Sequence, residues 1–287
     1  MKILITGAFG QLGSALEESL SSKNEIYKTG KSIPKGEVGI ELNIQNIVYL
    51  KEVLNTIEPD IIINLAAMTN VDDCESHPEL AKQINAESVQ NLVNCFNGKI
   101  IQLSTDYVFD GNNGPYSEDD IPNPISIYGA TKLISEKIIL NDTNNLVIRG
   151  NVLYDHSLNN KASFLTWVVE SLLNKKMIRV VNDQFNNPTW TKSIADVIQL
   201  CIIEDTKGLY HWADEDYLSR FDFALKIAKK FNLDISLIEP ITTDELDQLA
   251  LRPLNGGLNQ NKIKKDLKLV PPSIDDCLDA IIERGVI

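Results

Sequence analysis

Short apolar segments alternate with longer amphipathic segments through the first half of the chain. The apolar segments have the length and composition of buried strands, and they cover residues 3–5, 61–63, 100–103 and 146–148. The amphipathic segments have helical spacing and cover residues 14–20, 78–96 and 128–140. Buried strands that alternate with helices indicate an α/β fold, a doubly wound parallel sheet covered on both faces.

The alternation weakens after residue 149. Helical, strand-like and turn-rich patterns then follow one another at 163–173, 178–181, 182–188, 194–203 and 209–212. Further helices are predicted at 221–231, 243–249 and 274–284. We therefore predict a sheet domain, 1–157 and 190–213, and a smaller α/β substrate-binding lobe, 158–189 and 214–287.

Composition and charge narrow the classes of partner. The 287 residues are 43% hydrophobic, which is sufficient for a well-buried core, and they carry a net charge of −13. This acidity disfavours binding to nucleic acid or to an anionic membrane. Four widely spaced cysteines predict reduced thiols and no metal site. The chain opens directly on an apolar strand without a secretory signal pattern, so we expect a cytoplasmic protein.

Three glycines follow the first predicted strand. Gly7, Gly10 and Gly13 allow a tight turn, a close approach of the backbone to a pyrophosphate and the start of a helix whose amides face the phosphates. We expect the rest of the turn, with Phe9, Gln11 and Leu12, to contact a dinucleotide as well.

The second predicted strand, residues 25–28, does not end in an acidic residue. An acidic residue there is typical of NAD sites. Lys31 is a candidate partner for a 2′-phosphate, or a solvated surface lysine, and Asn43 is a candidate partner for the adenine edge. We therefore favour NADP(H) as cofactor and keep NAD(H) as an alternative.

Tyr128 and Lys132 lie four residues apart on one face of a predicted helix. Thr105 follows a buried strand, at the edge of the sheet where ligands bind in folds of this class. A tyrosine whose pKa is lowered by a nearby ammonium can protonate a carbonyl oxygen during hydride transfer, and a threonine hydroxyl can donate a further hydrogen bond to it. The pattern indicates a carbonyl reductase.

The chain resembles the dTDP-4-dehydrorhamnose reductase family, a group of extended short-chain dehydrogenase/reductases. The resemblance covers nearly the whole chain and rests on the segments Thr6-Gly7-Ala8-Phe9-Gly10-Gln11-Leu12-Gly13, Asn64-Leu65-Ala66-Ala67-Met68-Thr69-Asn70-Val71-Asp72, Ser104-Thr105-Asp106-Tyr107-Val108-Phe109-Asp110-Gly111 and Tyr128-Gly129-Ala130-Thr131-Lys132. It implies a Rossmann domain, NAD(P)H and reduction of the 4-keto group of a nucleotide-linked 6-deoxy sugar.

The resemblance also assigns roles to individual positions. It makes Thr105, Tyr128 and Lys132 the catalytic residues, and Lys132 a ligand of the nicotinamide ribose. It places Ala66 and Ala67 against the cofactor. It places a further group of residues near the sugar: Asp72, Asp106, Tyr107 and Val152.

Two departures from the family pattern bear on function. Rhamnose-pathway reductases usually carry an Arg-Thr-Ser-Trp sequence whose tryptophan packs on the sugar, and Val152 stands at that position here. Some bacterial members form a metal-bridged dimer through glutamates, one of them in the first helix, where this chain has Ser14-Ala15-Leu16. A homodimer is possible, and this difference disfavours its metal-bridged form.

Three hypotheses follow. The first is an NADPH-dependent reductase of a nucleotide-linked ketosugar that serves cell-surface polysaccharide synthesis. The second is a regulatory subunit like the beta subunit of methionine adenosyltransferase, which shares the motifs. The third is a nucleotide-sugar epimerase. Dehydration is disfavoured because dehydratases of this superfamily typically place Asp-Glu after the catalytic threonine, where this chain has Asp106-Tyr107.

Overall fold

The computed structural model describes residues 1–156 and 163–285. The predicted domain boundary between residues 157 and 158 lies outside the described residues. In chain order the strands are β1 (Lys2–Thr6), β2 (Glu25–Gly30), β3 (Ile40–Glu41), β4 (Ile61–Asn64), β5 (Lys99–Thr105), β6 (Leu146–Gly150), β7 (Leu153–Tyr154), β8 (Ile178–Val181), β9 (Phe185–Asn186), β10 (Thr189–Trp190), β11 (Gly208–His211), β12 (Leu218–Ser219) and β13 (Ile238–Ile241).

Eleven α-helices connect these strands in the part of the chain that the structure describes. They are α1 (Gln11–Leu20), α2 (Ile47–Ile57), α3 (Val71–Ser76), α4 (Pro78–Lys82), α5 (Ser88–Cys95), α6 (Ile127–Leu140), α7 (Phe164–Leu173), α8 (Thr191–Ile203), α9 (Arg220–Lys230), α10 (Asn261–Leu267) and α11 (Ile274–Glu283). A π-helical turn, Gln83–Glu87, joins α4 to α5, and short 3₁₀ turns occupy Asp106–Val108, Ile235–Leu237 and Thr243–Glu245.

Seven strands form the central sheet, in the order β11-β6-β5-β4-β1-β2-β3, and all of its pairings are parallel. This order confirms the predicted doubly wound α/β fold. Successive side chains of a strand point to opposite faces, so Ile3 and Ile5 pack against α1 and α8 while Leu4 packs against α2 and α5. Both faces are covered, and β1, β4 and β6 each contain three consecutive buried apolar residues.

Polar residues meet where the central strands end. The strand register places Thr6 beside Asn64, and Asn64 beside Gln102. Thr6 Oγ1 donates a hydrogen bond to Asn64 Oδ1, and Asn64 Nδ2 donates one of 2.7 Å to Gln102 Oε1. These bonds satisfy buried polar groups and fix the carboxyl edge of the sheet, from which the loops of the candidate site extend.

A second apolar core lies outside the central sheet. β8 and β13 pair in parallel, and α7, α9 and α11 pack around buried side chains that include Leu165, Phe223 and Leu278. No helix of the described residues is long and apolar enough to cross a membrane.

The predicted helix at 243–249 is wrong, because only the 3₁₀ turn Thr243–Glu245 forms. The Asp183 carboxylate accepts hydrogen bonds from the backbone amide and hydroxyl of Thr243, and Glu245 reaches back to the amide of Thr242. These contacts hold the segment against the preceding loop after a single turn. Leu246 then has extended backbone angles, φ −99° and ψ 104°.

Candidate active site

The glycine turn joins β1 to α1, and packing explains two of its three glycines. Gly7 has a φ of +65°, and a Cβ atom there would lie 2.8 Å from the Ala66 nitrogen. At Gly13 a Cβ atom would lie 2.0 Å from the Ala8 carbonyl oxygen. At Gly10 the nearest atom would be the Gly7 oxygen, at 3.5 Å. A Cβ atom at Gly10 would therefore meet the protein only at an ordinary van der Waals distance.

The N-terminus of α1 fits a phosphate-bearing ligand. No side chain caps the helix, and its first turn has no acidic residue. Free amides at a helix N-terminus attract anions. Gln11 Oε1 is buried and has no hydrogen-bond partner among the described residues. A dinucleotide with donor groups and a pyrophosphate fits both features.

A cleft of about 480 Å³ extends from this turn to the catalytic candidates. Gly7, Gly10, Gln11, Leu12 and Gly13 line it on one side. Thr105, Asp106, Tyr107, Tyr128 and Val152 line it as well, so the structure brings together most of the residues that the sequence singled out.

Six predicted cofactor residues lie outside this lining: Phe9, Lys31, Asn43, Ala66, Ala67 and Lys132. Phe9 packs against Gly30 and Gly39, with the Lys28 ammonium 5.7 Å from its ring centre. Leu65 lines the cleft instead of Ala66 and Ala67. Lys31 and Asn43 line a separate cavity of about 340 Å³.

That separate cavity contains an acidic residue, Glu41, together with Asn46 and Tyr49. Glu41 belongs to the short strand β3 and pairs with Gly30 at the end of β2. The sequence pattern placed no acidic residue here because β3 was not recognised as a strand. Lys31 therefore shares its surroundings with a carboxylate.

Tyr128 and Lys132 lie in the first two turns of α6. Ser126 caps this helix by accepting a hydrogen bond from the Gly129 amide at 3.2 Å. A Cβ atom at Gly129 would lie 2.0 Å from the Tyr107 carbonyl oxygen, so the glycine lets the helix approach the turn after β5 closely. This approach places Tyr128 in the same cleft as Thr105.

Burial and the Asp106 charge raise the pKa of the Tyr128 hydroxyl, and a hydrogen bond with Thr105 works against this rise. The expectation of a lowered tyrosine pKa is therefore wrong for this structure. The physical reason is burial, which disfavours the charged phenolate. Lys132 Nζ donates a hydrogen bond to the Leu103 carbonyl oxygen at 2.7 Å. Burial also lowers the pKa of Lys132 to about 8, against the opposing charge of Glu136.

Asp106 and Tyr107 follow Thr105 in the cleft. The Thr105 hydroxyl donates to Asp106 Oδ1 at 3.1 Å, and burial raises the pKa of Asp106 to about 7. The rings of Tyr107 and Tyr128 meet edge to face at 5.6 Å. Val152 has a φ of +39°, a conformation that strains a β-branched residue.

Asp72 binds protein groups instead of facing the cleft. Its carboxylate accepts a hydrogen bond from Arg252 at 2.9 Å and one from the Ala250 amide at 2.9 Å. These bonds lower the pKa of Asp72 against the effect of its partial burial. Asp72 is not among the residues that line the cleft.

Other residues of the site carry no local sequence signal. Phe164 and Arg220 line the cleft from α7 and α9. Asn85, in the π-helical turn, accepts from the Met68 amide at 2.7 Å and donates to the Thr131 hydroxyl at 3.1 Å, which fixes the loop after β4. π-helical turns often occur at functional sites, but their hydrogen-bond shift is not readable from sequence.

The Glu136 carboxylate forms an ion pair with a buried arginine. Glu136 pairs with Arg149 at 2.7 Å, and each side chain is only 2% exposed. Glu136 also accepts a hydrogen bond from Ser104. The network joins α6 to β5 and β6, one helical turn after Lys132.

Known proteins are similar to this chain over most of its length. The family model described as RmlD substrate binding domain matches residues 1–286. A dTDP-4-dehydrorhamnose reductase of Aggregatibacter actinomycetemcomitans is 32% identical over 94% of each chain. The methionine adenosyltransferase 2 subunit beta of Bos taurus is 32% identical over 92% of this chain and 81% of that protein.

A solved structure is also similar to this chain over nearly its whole length. The dTDP-4-dehydrorhamnose reductase of Bacillus anthracis, solved in complex with NADP, has a TM-score of 0.90 and 31% identity and covers 99% of both chains. NADP in that protein agrees with the cofactor favoured from the sequence. The family match spans the sheet, the glycine turn and the Thr105, Tyr128 and Lys132 positions, and this chain therefore belongs to the dTDP-4-dehydrorhamnose reductase family.

Proposed function

We propose that this protein reduces the 4-keto group of a nucleotide-linked 6-deoxy sugar with NADPH, in the synthesis of a cell-surface polysaccharide. The observation that carries the proposal is the single cleft shared by the glycine turn, Thr105 and Tyr128. A cofactor and a carbonyl substrate can meet there, beside a proton donor.

Tyr128 is the general acid in this proposal. Because its pKa is raised, the phenol stays protonated at neutral pH and can transfer its proton to the carbonyl oxygen as that oxygen gains negative charge. Thr105 stabilises the same oxygen by donating a hydrogen bond. Lys132, protonated below its pKa of about 8, provides a positive charge one helical turn from Tyr128 and binds the nicotinamide ribose.

NADPH, when bound, supplies the hydride. Gly10 leaves space for its pyrophosphate, and Gln11 Oε1 offers a free acceptor. Lys31 is the proposed partner of the 2′-phosphate, and Asn43 of the adenine edge. Glu41 lies in the same cavity and would remain there without the lysine. Lys31→Ala should therefore shift the cofactor preference from NADPH towards NADH.

Three residues of the cleft are proposed to contact the sugar: Asp106, Tyr107 and Val152. The proposal keeps the division of the chain into a dinucleotide-binding part, 1–157 and 190–213, and a substrate-binding lobe, 158–189 and 214–287. The pairing of β11 with the central sheet and the separate core around α7, α9 and α11 support this division.

The test is NADPH oxidation by the purified protein with a panel of dTDP-linked and UDP-linked 4-keto-6-deoxyhexoses. We expect stoichiometric loss of NADPH absorbance with at least one of them. Tight NADPH binding without oxidation by any nucleotide-linked ketosugar would refute the reductase. An epimerase would instead convert its sugar with no net consumption of NADPH, so product analysis separates these two activities.

A second candidate is a regulatory subunit of methionine adenosyltransferase. The identity of 32% to the Bos taurus beta subunit favours it. Size-exclusion chromatography with a purified methionine adenosyltransferase catalytic subunit would test this candidate. Co-elution together with changed adenosyltransferase kinetics would support it, and separate elution with ketosugar reductase activity would exclude it.

A further inference from the structure

Arg220 is a cation of the cleft that lacks a carboxylate partner. It is the first residue of α9 and lines the cleft with Thr105, Tyr128 and Phe164. Two other arginines are paired, the buried Arg149 with Glu136 and the partly buried Arg252 with Asp72. Among the described residues no carboxylate lies within ion-pair distance of the Arg220 guanidinium.

The neighbours of Arg220 orient the guanidinium without neutralising it. The guanidinium lies 5.5 Å from the centre of the Phe164 ring, and it lies near the Tyr107 side chain, which raises its pKa. Burial lowers the pKa of Arg220, while the nearby charge of Arg252 lowers it further. Asp106 is the nearest acidic group, but its own pKa is raised to about 7, so it carries only part of a charge at neutral pH.

A cation held partly out of water costs free energy unless a ligand or a side chain pairs with it. A guanidinium is planar and donates two parallel hydrogen bonds, which matches the oxygens of a phosphate. The protein has a net charge of −13, so an anionic ligand needs local positive charge to approach this cleft.

Arg220 and the proposed site for the cofactor's phosphates belong to different parts of the fold. The glycine turn, with the N-terminus of α1, already offers a pyrophosphate site. Arg220 lies on α9, which packs in the second core with α7 and α11. The cleft therefore joins the glycine turn of the sheet domain to a cation of this lobe.

We propose that Arg220 binds the diphosphate of the nucleotide-linked substrate. The proposal rests on the proposed function, because it takes the substrate to be a nucleoside diphosphate sugar. Tyr107 and Phe164 hold the guanidinium in place, and the substrate's phosphate oxygens supply the missing negative charge.

Isothermal titration of the NADP⁺-loaded protein tests this role without turnover. The probes are dTDP, thymidine and inorganic pyrophosphate. We expect Arg220→Gln to weaken binding of dTDP and pyrophosphate by about 10- to 100-fold, the usual effect of losing a charged hydrogen bond. Thymidine binding and NADP⁺ affinity should stay unchanged, and Arg220→Lys should restore part of the affinity.

The matched control is Lys226→Gln, which removes a positive charge from the same helix but lies against Asp275, outside the cleft. Equal affinities of wild-type and Arg220→Gln protein for dTDP and pyrophosphate would overturn the proposal. So would a wild-type protein that binds neither probe, or an Arg220→Gln variant that loses NADP⁺ and dTDP equally.

The reductase proposal can be refuted independently of this diphosphate site. A protein that binds dTDP through Arg220 but oxidises no NADPH with any ketosugar would retain this diphosphate site and lose only the proposed reaction.

Discussion

Tyr128 and Lys132 lie one helical turn apart, and their surroundings differ. Removal from water raises the pKa of the tyrosine and lowers that of the lysine, because burial disfavours whichever form is charged. At neutral pH this combination holds a protonated phenol beside an ammonium. The site therefore contains a proton donor with a fixed positive charge near it before any ligand binds.

Replacing Tyr128 with Phe should lower kcat by about 10²- to 10⁴-fold, because the variant loses the positioned general acid. NADPH affinity, measured by fluorescence titration, should change little. Tyr27→Phe, at a tyrosine of β2 outside the cleft, is the matched control and should keep wild-type kcat. A Tyr128→Phe variant with near-normal kcat would assign the proton to another group.

The pH dependence should follow Lys132. Its ammonium is present below a pKa of about 8 and is lost as the pH rises through that value. We therefore expect kcat/KM to fall about tenfold per pH unit above 8. Asp106, with a pKa of about 7, titrates below this window. Lys132→Arg keeps its charge and should remove the alkaline fall, although with lower activity; a wild-type profile that stays flat above pH 8 would contradict this assignment.

At the scale of elements, the glycine turn depends on how closely α1 approaches β1 and the loop after β4. Gly7 needs its positive φ, and Gly13 allows the helix to pack on the Ala8 carbonyl. Gly10 meets no such constraint from the protein. The three glycines look equivalent in sequence, but the structure gives them different physical roles.

Gly13→Ala and Gly10→Ala should separate stability from cofactor binding. A methyl group at Gly13 would overlap the Ala8 backbone, so we expect a loss of about 1–3 kcal/mol in the free energy of unfolding. At Gly10 the free energy of unfolding should change by less than about 0.5 kcal/mol, while NADPH affinity falls because the methyl group occupies the ligand's space. Urea unfolding and NADPH titration measure the two effects, and equal destabilisation by both variants would argue against this account.

At the scale of the whole molecule, a few contacts hold the C-terminal segment against the sheet domain. Arg252 pairs with Asp72 at 2.9 Å, and their side chains are 9% and 39% exposed. A Cβ atom at Gly256 would lie 2.5 Å from Asp106 Oδ2, so this segment also packs directly on the site. Movement of residues 250–256 would therefore change the cleft.

The Asp72–Arg252 pair should couple stability to substrate binding. A double-mutant cycle with Asp72→Asn and Arg252→Gln should give a coupling free energy of about 0.5–1.5 kcal/mol, modest because Asp72 is partly exposed to solvent. Each variant should raise KM for the sugar more than it lowers kcat. Additive effects in urea unfolding, or an unchanged KM, would show that the pair does not hold the lobe.

Local patterns in the sequence were sufficient for the sheet, the glycine turn and the spacing of Tyr128 and Lys132. Strand and helix periodicities and the positions of glycines are local properties, and the parallel sheet that they predicted is present. The predicted helix at 243–249 failed because the bonds from Thr243 to Asp183 join residues 60 positions apart. Local propensity does not contain such a contact.

Only the tertiary structure decided the electrostatics of the site. It placed Glu41 in the cavity of Lys31 through the pairing of β3 with β2. It also directed Asp72 to Arg252, which lies 180 positions away in the chain. It brought Arg220 into the cleft from a helix that follows the catalytic residues by almost ninety positions, counted from Lys132 to Arg220 in the sequence. The sequence determined which reactive groups the protein has, because residue type and spacing are written in the chain. Folding determined their protonation and partners, because both depend on burial and on which distant residues become neighbours.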